Sequence, residues 1–404
     1  MKKAWLMVII AILTSITCAI SFLKIPPTMV LIMQGFGVSL TVVGLTMTVA
    51  TIAQVIVTLP FGVVVAKIGP KKTMYIVLAM GFIGSAIGAL STNYTMLLVG
   101  RIFDGACFGV ASIVVPPIIS MWFPPQKRGL PMGIFSVWVA LSMLIIFNVA
   151  NPIAALFTWR GVWWFSCILT VILGIVFAFI LKYPKEGEGS GESSAQAEQE
   201  SKPSLSAGFK SGAVWNVAIS FFFFTLLFSI FNNFYSTYLV QGAGLDLGAA
   251  NKIYVFAIIG MAIGGIFSGA ILNKVNRKYH AVLLTVSFVL VAICAFFEFR
   301  ITSPSALIPF LLIAGFIYML SVPIVFTLGS SLAKRPEEVG PIMAVVNFAN
   351  GAAGVVSPLI VGPMVAAFGG WSGLSLPLLA FVVLAIIGCL LLQKTYAKRF
   401  KAAE

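Results

Sequence analysis

Acidic residues are scarce in this chain: 404 residues hold 11 Asp and Glu against 25 Lys and Arg, with a single histidine. One histidine cannot build a His-based metal site, and no H-E-x-x-H pair occurs. No G-x-x-x-x-G-K-[ST] loop is present, so the chain carries no nucleotide-driven engine. No cofactor or metal is implied, and an enzyme is the weaker class. Five cysteines (Cys18, Cys107, Cys167, Cys294, Cys389) fall in apolar runs without metal spacing and read as small core residues. Charged residues make up 9% of the sequence, far below the roughly 25% usual in soluble domains.

Hydrophobic residues fill the space that charge leaves. They make up 60% of the chain, with mean hydropathy +1.09. Twelve apolar runs are each long enough for the roughly 20 residues that span a ~30 Å hydrocarbon core. They cover 5–34, 40–65, 72–91, 95–121, 131–156, 162–181, 213–240, 250–272, 280–299, 305–333, 341–367 and 372–393. The expected class is therefore an all-α integral membrane protein.

The net charge of +14 is explained by topology rather than by a nucleic-acid partner. With both termini in the cytoplasm, 20 of the 25 Lys and Arg fall in cytoplasmic segments. Arg160, Lys252 and Arg300 fall outside, leaving Lys24 and Arg101 within apolar runs. Met1-Lys2-Lys3 before an apolar stretch imitates a signal peptide. The run is long and lacks an A-x-A site, so it reads as an uncleaved first helix in the plasma (inner) membrane.

A cassette occurs twice. Gly62-Val-Val-Val-Ala66-Lys67-Ile-Gly69-Pro70-Lys71 is echoed by Gly269-Ala-Ile-Leu-Asn273-Lys274-Val-Asn276-Arg277-Lys278, 207 residues later. Each copy ends an apolar run and delivers a basic loop, the mark of a duplicated helical bundle. Between the halves, 182–212 is rich in Glu, Ser, Gly and Lys and reads as a disordered cytoplasmic linker. The expected domains are a six-helix bundle over 1–181, the linker, and a second six-helix bundle over 213–404.

Three patterns carry a resemblance to the major facilitator superfamily over essentially the whole length. Gly62, Lys67, Gly69, Lys71 and Lys72 match the family's loop after helix two, although Ala66 stands where the family has an acid. Leu97, Arg101, Asp104, Gly105 and Gly109 are similar to its fourth-helix motif. Trp122-Phe123-Pro124-Pro125-Gln126-Lys127-Arg128-Gly129, with Trp159-Arg160 later, resembles the nitrate-cyanate and organic-anion porters. The resemblance implies a secondary transporter, with helices one, four, seven and ten lining a cavity. It also implies gates at Gly62, Lys67, Lys71, Gly269, Lys274 and Arg277, the two glycines letting helices approach closely. Without the acid at position 66, the gate contact cannot form, which favours an inward-open state.

Charge inside a bilayer is costly, so Lys24, Arg101 and Asp104 are the primary site candidates. Arg101 and Asp104 at i,i+3 share a helix face. Two cations and one acid leave an excess of positive charge that draws a small anion, with Lys24 and Arg101 as its partners. Asp104, pairing with either cation, is the proton-coupling candidate; the plainer alternative is a structural Arg101–Asp104 pair with Lys24 snorkelling outward. Pro26-Pro27 breaks the first helix and frees carbonyls beside a cation. In the second half Asn232, Tyr235 and Tyr318 are neutral residues suited to orienting substrate, and Glu298 reads as interfacial. The expected function is proton-coupled uptake of a small organic anion by a monomer. Efflux of amphipathic compounds and a non-transporting receptor are the alternatives.

Overall fold

The computed structural model describes residues 2–124, 127–183, 211–333 and 338–401. The expected linker lies almost wholly outside the described residues, as do Pro125, Gln126 and the side chain of Ala66. The chain divides into two compact units, Met1–Glu200 and Ser201–Glu404.

The first unit opens with α1 (Lys2–Leu23) and α2 (Ile25–Phe36), two pieces of one span parted at Lys24. Pro26 and Pro27, lacking N–H groups, account for the break. Gly37, at φ 64°, closes α2 in the left-handed conformation that glycine tolerates. Ser39 then caps α3 (Leu40–Ile68), its hydroxyl accepting from the Val42 N–H at 3.3 Å. After α4 (Pro70–Ala89), the Asn93 side chain caps α5 (Tyr94–Trp122) through the Met96 N–H at 2.8 Å. A short α6 (Gly129–Ser136) leads into α7 (Trp138–Ile180), which is interrupted by non-helical backbone at Phe157 and Thr158. Thr158 holds φ 60°, a strained angle for a β-branched residue, and the break separates the fifth pass from the sixth.

The second unit contains α8 (Gly212–Gln241), α9 (Leu247–Lys274), α10 (His280–Phe297), α11 (Pro304–Ser331), α12 (Val339–Ala367) and α13 (Ser375–Lys401). Eleven helical stretches among the described residues are long and apolar enough to cross a membrane. The longest, Leu130–Ile180, contains the Phe157–Thr158 break, so the expected twelve passes are present. The two units pair their helices alike. α3 packs on α5 as α9 packs on α11, α1 on α7 as α8 on α12, and α4 on α7 as α10 on α13. The duplicated cassette thus corresponds to a duplicated packing scheme.

Glycines set the closest approaches, but not the two that the cassette highlights. A Cβ added at Gly62 or Gly269 meets no atom within 4 Å, which corrects the expectation that these glycines let helices close up. The close contacts lie elsewhere. A Cβ on Gly105 would collide with the Ala50 carbonyl across α3 and α5. One on Gly84 would sit 2.8 Å from the Gly100 carbonyl across α4 and α5, while Gly260 and Gly264 abut the backbone of α11. Small residues permit such packing where lipid supplies no hydrophobic drive between helices. Gly105→Ala should therefore force α3 from α5 and cost about 1–3 kcal/mol as overpacking, whereas Gly62→Ala should stay within about 0.5 kcal/mol of the unmodified chain. Thermal unfolding of the purified variants in detergent checks both.

Candidate functional site

The three intramembrane charges of the first unit meet. Asp104 Oδ2 lies 2.8 Å from Arg101 Nη1 and 3.1 Å from Lys24 Nζ. Lys24 and Asp104 have no exposed side-chain surface, and Arg101 retains 1%. Asp104 pairs with both cations at once, and Lys24 points inward, which sets aside the snorkelling alternative.

The helix break supplies the remaining partners. In an unbroken helix the Phe22 carbonyl would accept from the N–H four residues on, but that residue is Pro26. Arg101 Nη2 donates to this freed carbonyl at 2.9 Å, and Nη1 donates to the Ser21 carbonyl, also at 2.9 Å. Arg101 Nε donates to the Thr46 carbonyl of α3 at 3.1 Å. Arg101 consequently joins α1, α3 and α5, and it is Arg101 rather than Lys24 that uses the carbonyls at the break. Lys24 Nζ donates to Ser85 Oγ of α4 at 2.8 Å and lies 4.9 Å from the ring centre of Trp163 on α7. Ser85 in turn donates toward Asp104 Oδ1 and the Ser21 hydroxyl, at 3.4 Å each.

Ser21, Ser85 and Trp163 were not singled out by sequence. Serines and aromatics are common in apolar spans, and no spacing marks these three. Trp163 adds a buried indole N–H with no hydrogen-bond partner among the described residues. Gly88 faces this indole, and a Cβ there would strike it.

In the second unit the neutral candidates also gather. Tyr254 donates to Asn232 Oδ1 at 2.8 Å, and the Tyr318 ring stacks on Phe231 at 4.9 Å between centres. Tyr235 packs against Phe231 and Tyr254, its hydroxyl buried without a partner among the described residues. Tyr318 donates to Glu298 Oε2 at 2.7 Å. Glu298 is 1% exposed, so it is a buried acid and not the interfacial one expected: it continues the helical backbone of α10 by one residue and turns its carboxyl to Tyr318 of α11. All five cysteines are buried and free.

The expected gate cations are spread along helix ends. Lys67, Lys274 and Arg277 are exposed, and Lys71 donates to the Leu181 carbonyl, tying the start of α4 to the end of α7.

Two bundles of membrane-crossing helices, the first built around a buried charge cluster with unbalanced positive charge, define a membrane transporter. The chain belongs to the Major Facilitator Superfamily, whose sequence pattern matches residues 5–358. It is 26% identical over 374 residues to the hexuronate transporter of Bacillus subtilis, covering 88% of this chain and 87% of that protein. It is also 20% identical over 247 residues to the probable L-galactonate transporter of Escherichia coli, covering 58% and 54%. Among solved structures, a bacterial homologue of the human lysosomal transporter Spinster superposes with TM-score 0.77 at 14% identity, over 98% of both chains. The D-xylose-proton symporter gives 0.71 at 16% identity, over 95% of this chain and 96% of that one.

Removing the shared acid should harm this site more than removing one cation. Asp104→Asn leaves two buried cations side by side, and breaking a buried pair in this way costs about 3–5 kcal/mol. Lys24→Met keeps the Arg101–Asp104 pair and should lower the unfolding temperature less. Thermal unfolding of the two variants in one detergent gives the order.

Proposed function

We propose that this transporter takes up hexuronates and related sugar acids with protons. The observation that carries the reading is the buried cluster of two cations sharing one carboxylate. The local excess of one positive charge, in a water-poor setting, favours an incoming carboxylate over a neutral sugar. The similarity to a hexuronate transporter and to a probable L-galactonate transporter supports the same substrate class.

Lys24 and Arg101 are the anion's partners. An ammonium has three donors; Ser85 and Asp104 occupy two in this structure, leaving Lys24 capacity for a substrate oxygen. As the substrate carboxylate approaches, Asp104 takes a proton and yields its cations, so the site's local excess of one positive charge is the same before and after binding. Asn232, Tyr235 and Tyr318 orient the sugar hydroxyls from the second bundle. The bundles, 1–181 and 213–404 joined by the 182–212 linker, alternate access to the site, with Lys67, Lys71, Lys274 and Arg277 at the cytoplasmic corners. The protein works as a monomer in the cell membrane, both termini cytoplasmic.

Lys24→Ala should weaken hexuronate binding by about 1.5–3 kcal/mol, the loss expected for a hydrogen bond to a charged group. Titration calorimetry on the purified, folded variant measures it, and wild-type affinity would refute the assignment. In proteoliposomes, an inward proton gradient should drive accumulation of labelled galacturonate, and a protonophore should abolish it. Accumulation indifferent to the gradient would remove proton coupling from the reading.

A further inference from the structure

Glu298 is a carboxyl that the charge cluster does not use. It follows α10 directly, is 1% exposed, and accepts one hydrogen bond, from Tyr318. Its Oε1 has no partner among the described residues. The ionisable groups facing it are Tyr235 of α8, Tyr254 of α9, Cys294 of α10 and Tyr318 of α11. None of these carries a positive charge. Arg300, two residues on, turns away: its Nε donates to Ser375 Oγ of α13 at 2.9 Å, and its guanidinium lies 4.2 Å from the centre of the Phe296 ring. An ionised carboxylate buried with no cation beside it is expensive, and such groups neutralise instead.

A cavity lies beside the next residue. Phe299, the next residue, walls a cavity of about 780 Å³ together with Tyr238, Gln241, Arg300 and Trp371. Tyr235 sits between this wall and the acid's surroundings, 5.3 Å from Tyr238, 5.8 Å from Phe299 and 6.2 Å from Tyr254 by ring centres. Its hydroxyl, without a partner among the described residues, is a buried polar group of the kind that calls for a functional account.

We propose that Glu298, held by the Tyr318 hydroxyl, is a second proton-carrying site, loaded and emptied through the cavity beside Phe299. Loading moves a proton from a hydronium ion to the carboxylate, breaking one hydronium O–H bond and forming the carboxyl O–H, and changes the carboxyl's charge from −1 to zero as hydronium becomes water; emptying reverses the transfer. The acid is stable when closed over as the neutral form, and ionises when the aromatic wall parts and water solvates it. The Tyr318 bond links this event to a residue assigned to substrate orientation. Only the transport half of the test rests on the hexuronate reading.

The test uses the full chain in proteoliposomes. Infrared difference spectra recorded against pH should show a protonated-carboxyl C=O band that disappears on alkaline titration, shifts in Tyr318→Phe, and is absent in Glu298→Gln. A wild-type protein without such a band, or a band unchanged in both variants, overturns the proposal. Should Glu298→Gln fail to fold, the shift in Tyr318→Phe decides the assignment. In transport, Glu298→Gln should keep galacturonate exchange between preloaded vesicles and lose accumulation driven by a pH gradient. Accumulation at the wild-type level overturns the coupling role. If wild-type vesicles move no hexuronate at all, the substrate reading fails while the infrared result still decides the proton site.

Discussion

The ion cluster of Arg101, Asp104 and Lys24 is the constraint on which the first bundle depends. Three charged groups with almost no exposed surface are tolerable only if every one is solvated by protein. One carboxylate cannot neutralise two cations, so the remaining solvation comes from dipoles: the Ser21, Phe22 and Thr46 carbonyls for Arg101, and the Ser85 hydroxyl for Lys24. The Phe22 carbonyl is free because Pro26 cannot donate to it. A helix break that would be a defect in an apolar span is here the means of burying an arginine. The same contacts fix the mutual positions of α1, α3, α4 and α5.

The second bundle repeats the pairing of helices but not this chemistry. Where the first has an ion cluster, the second has stacked rings, amide and hydroxyl pairs, and a buried acid, Glu298, with no cation beside it among the described residues. The division of labour proposed for transport follows from that difference. In that proposal, net positive charge attracts and holds the substrate anion, neutral donors and rings discriminate its shape, and a buried acid responds to protons.

Much of this was legible in the sequence, because charge in an apolar run is rare enough to stand out. Lys24, Arg101 and Asp104 were identifiable on that ground, and the i,i+3 spacing placed two of them on one face. Pro26-Pro27 marked the break, although its beneficiary is Arg101. Glu298 departs from the interfacial expectation because nearness to a helix end does not say which neighbouring helix the end packs against, here α11 through Tyr318. Ser85 and Trp163 carry no signal of their own; proximity alone gives them a role. The cassette glycines misled for a different reason. A repeat shows that two positions are equivalent, not that either faces a neighbouring helix; the close approaches lie at glycines outside the cassette, among them Gly84, Gly105, Gly260 and Gly264.

Selection of a carboxylate by the unbalanced positive charge of the first bundle is the property on which the proposed function depends. It is tested most directly by titrating the purified protein with galacturonate and with galactose, which differ at the carbon bearing the carboxylate. Binding of galacturonate with no measurable binding of galactose is the predicted result; equal affinity for the two sugars would contradict it.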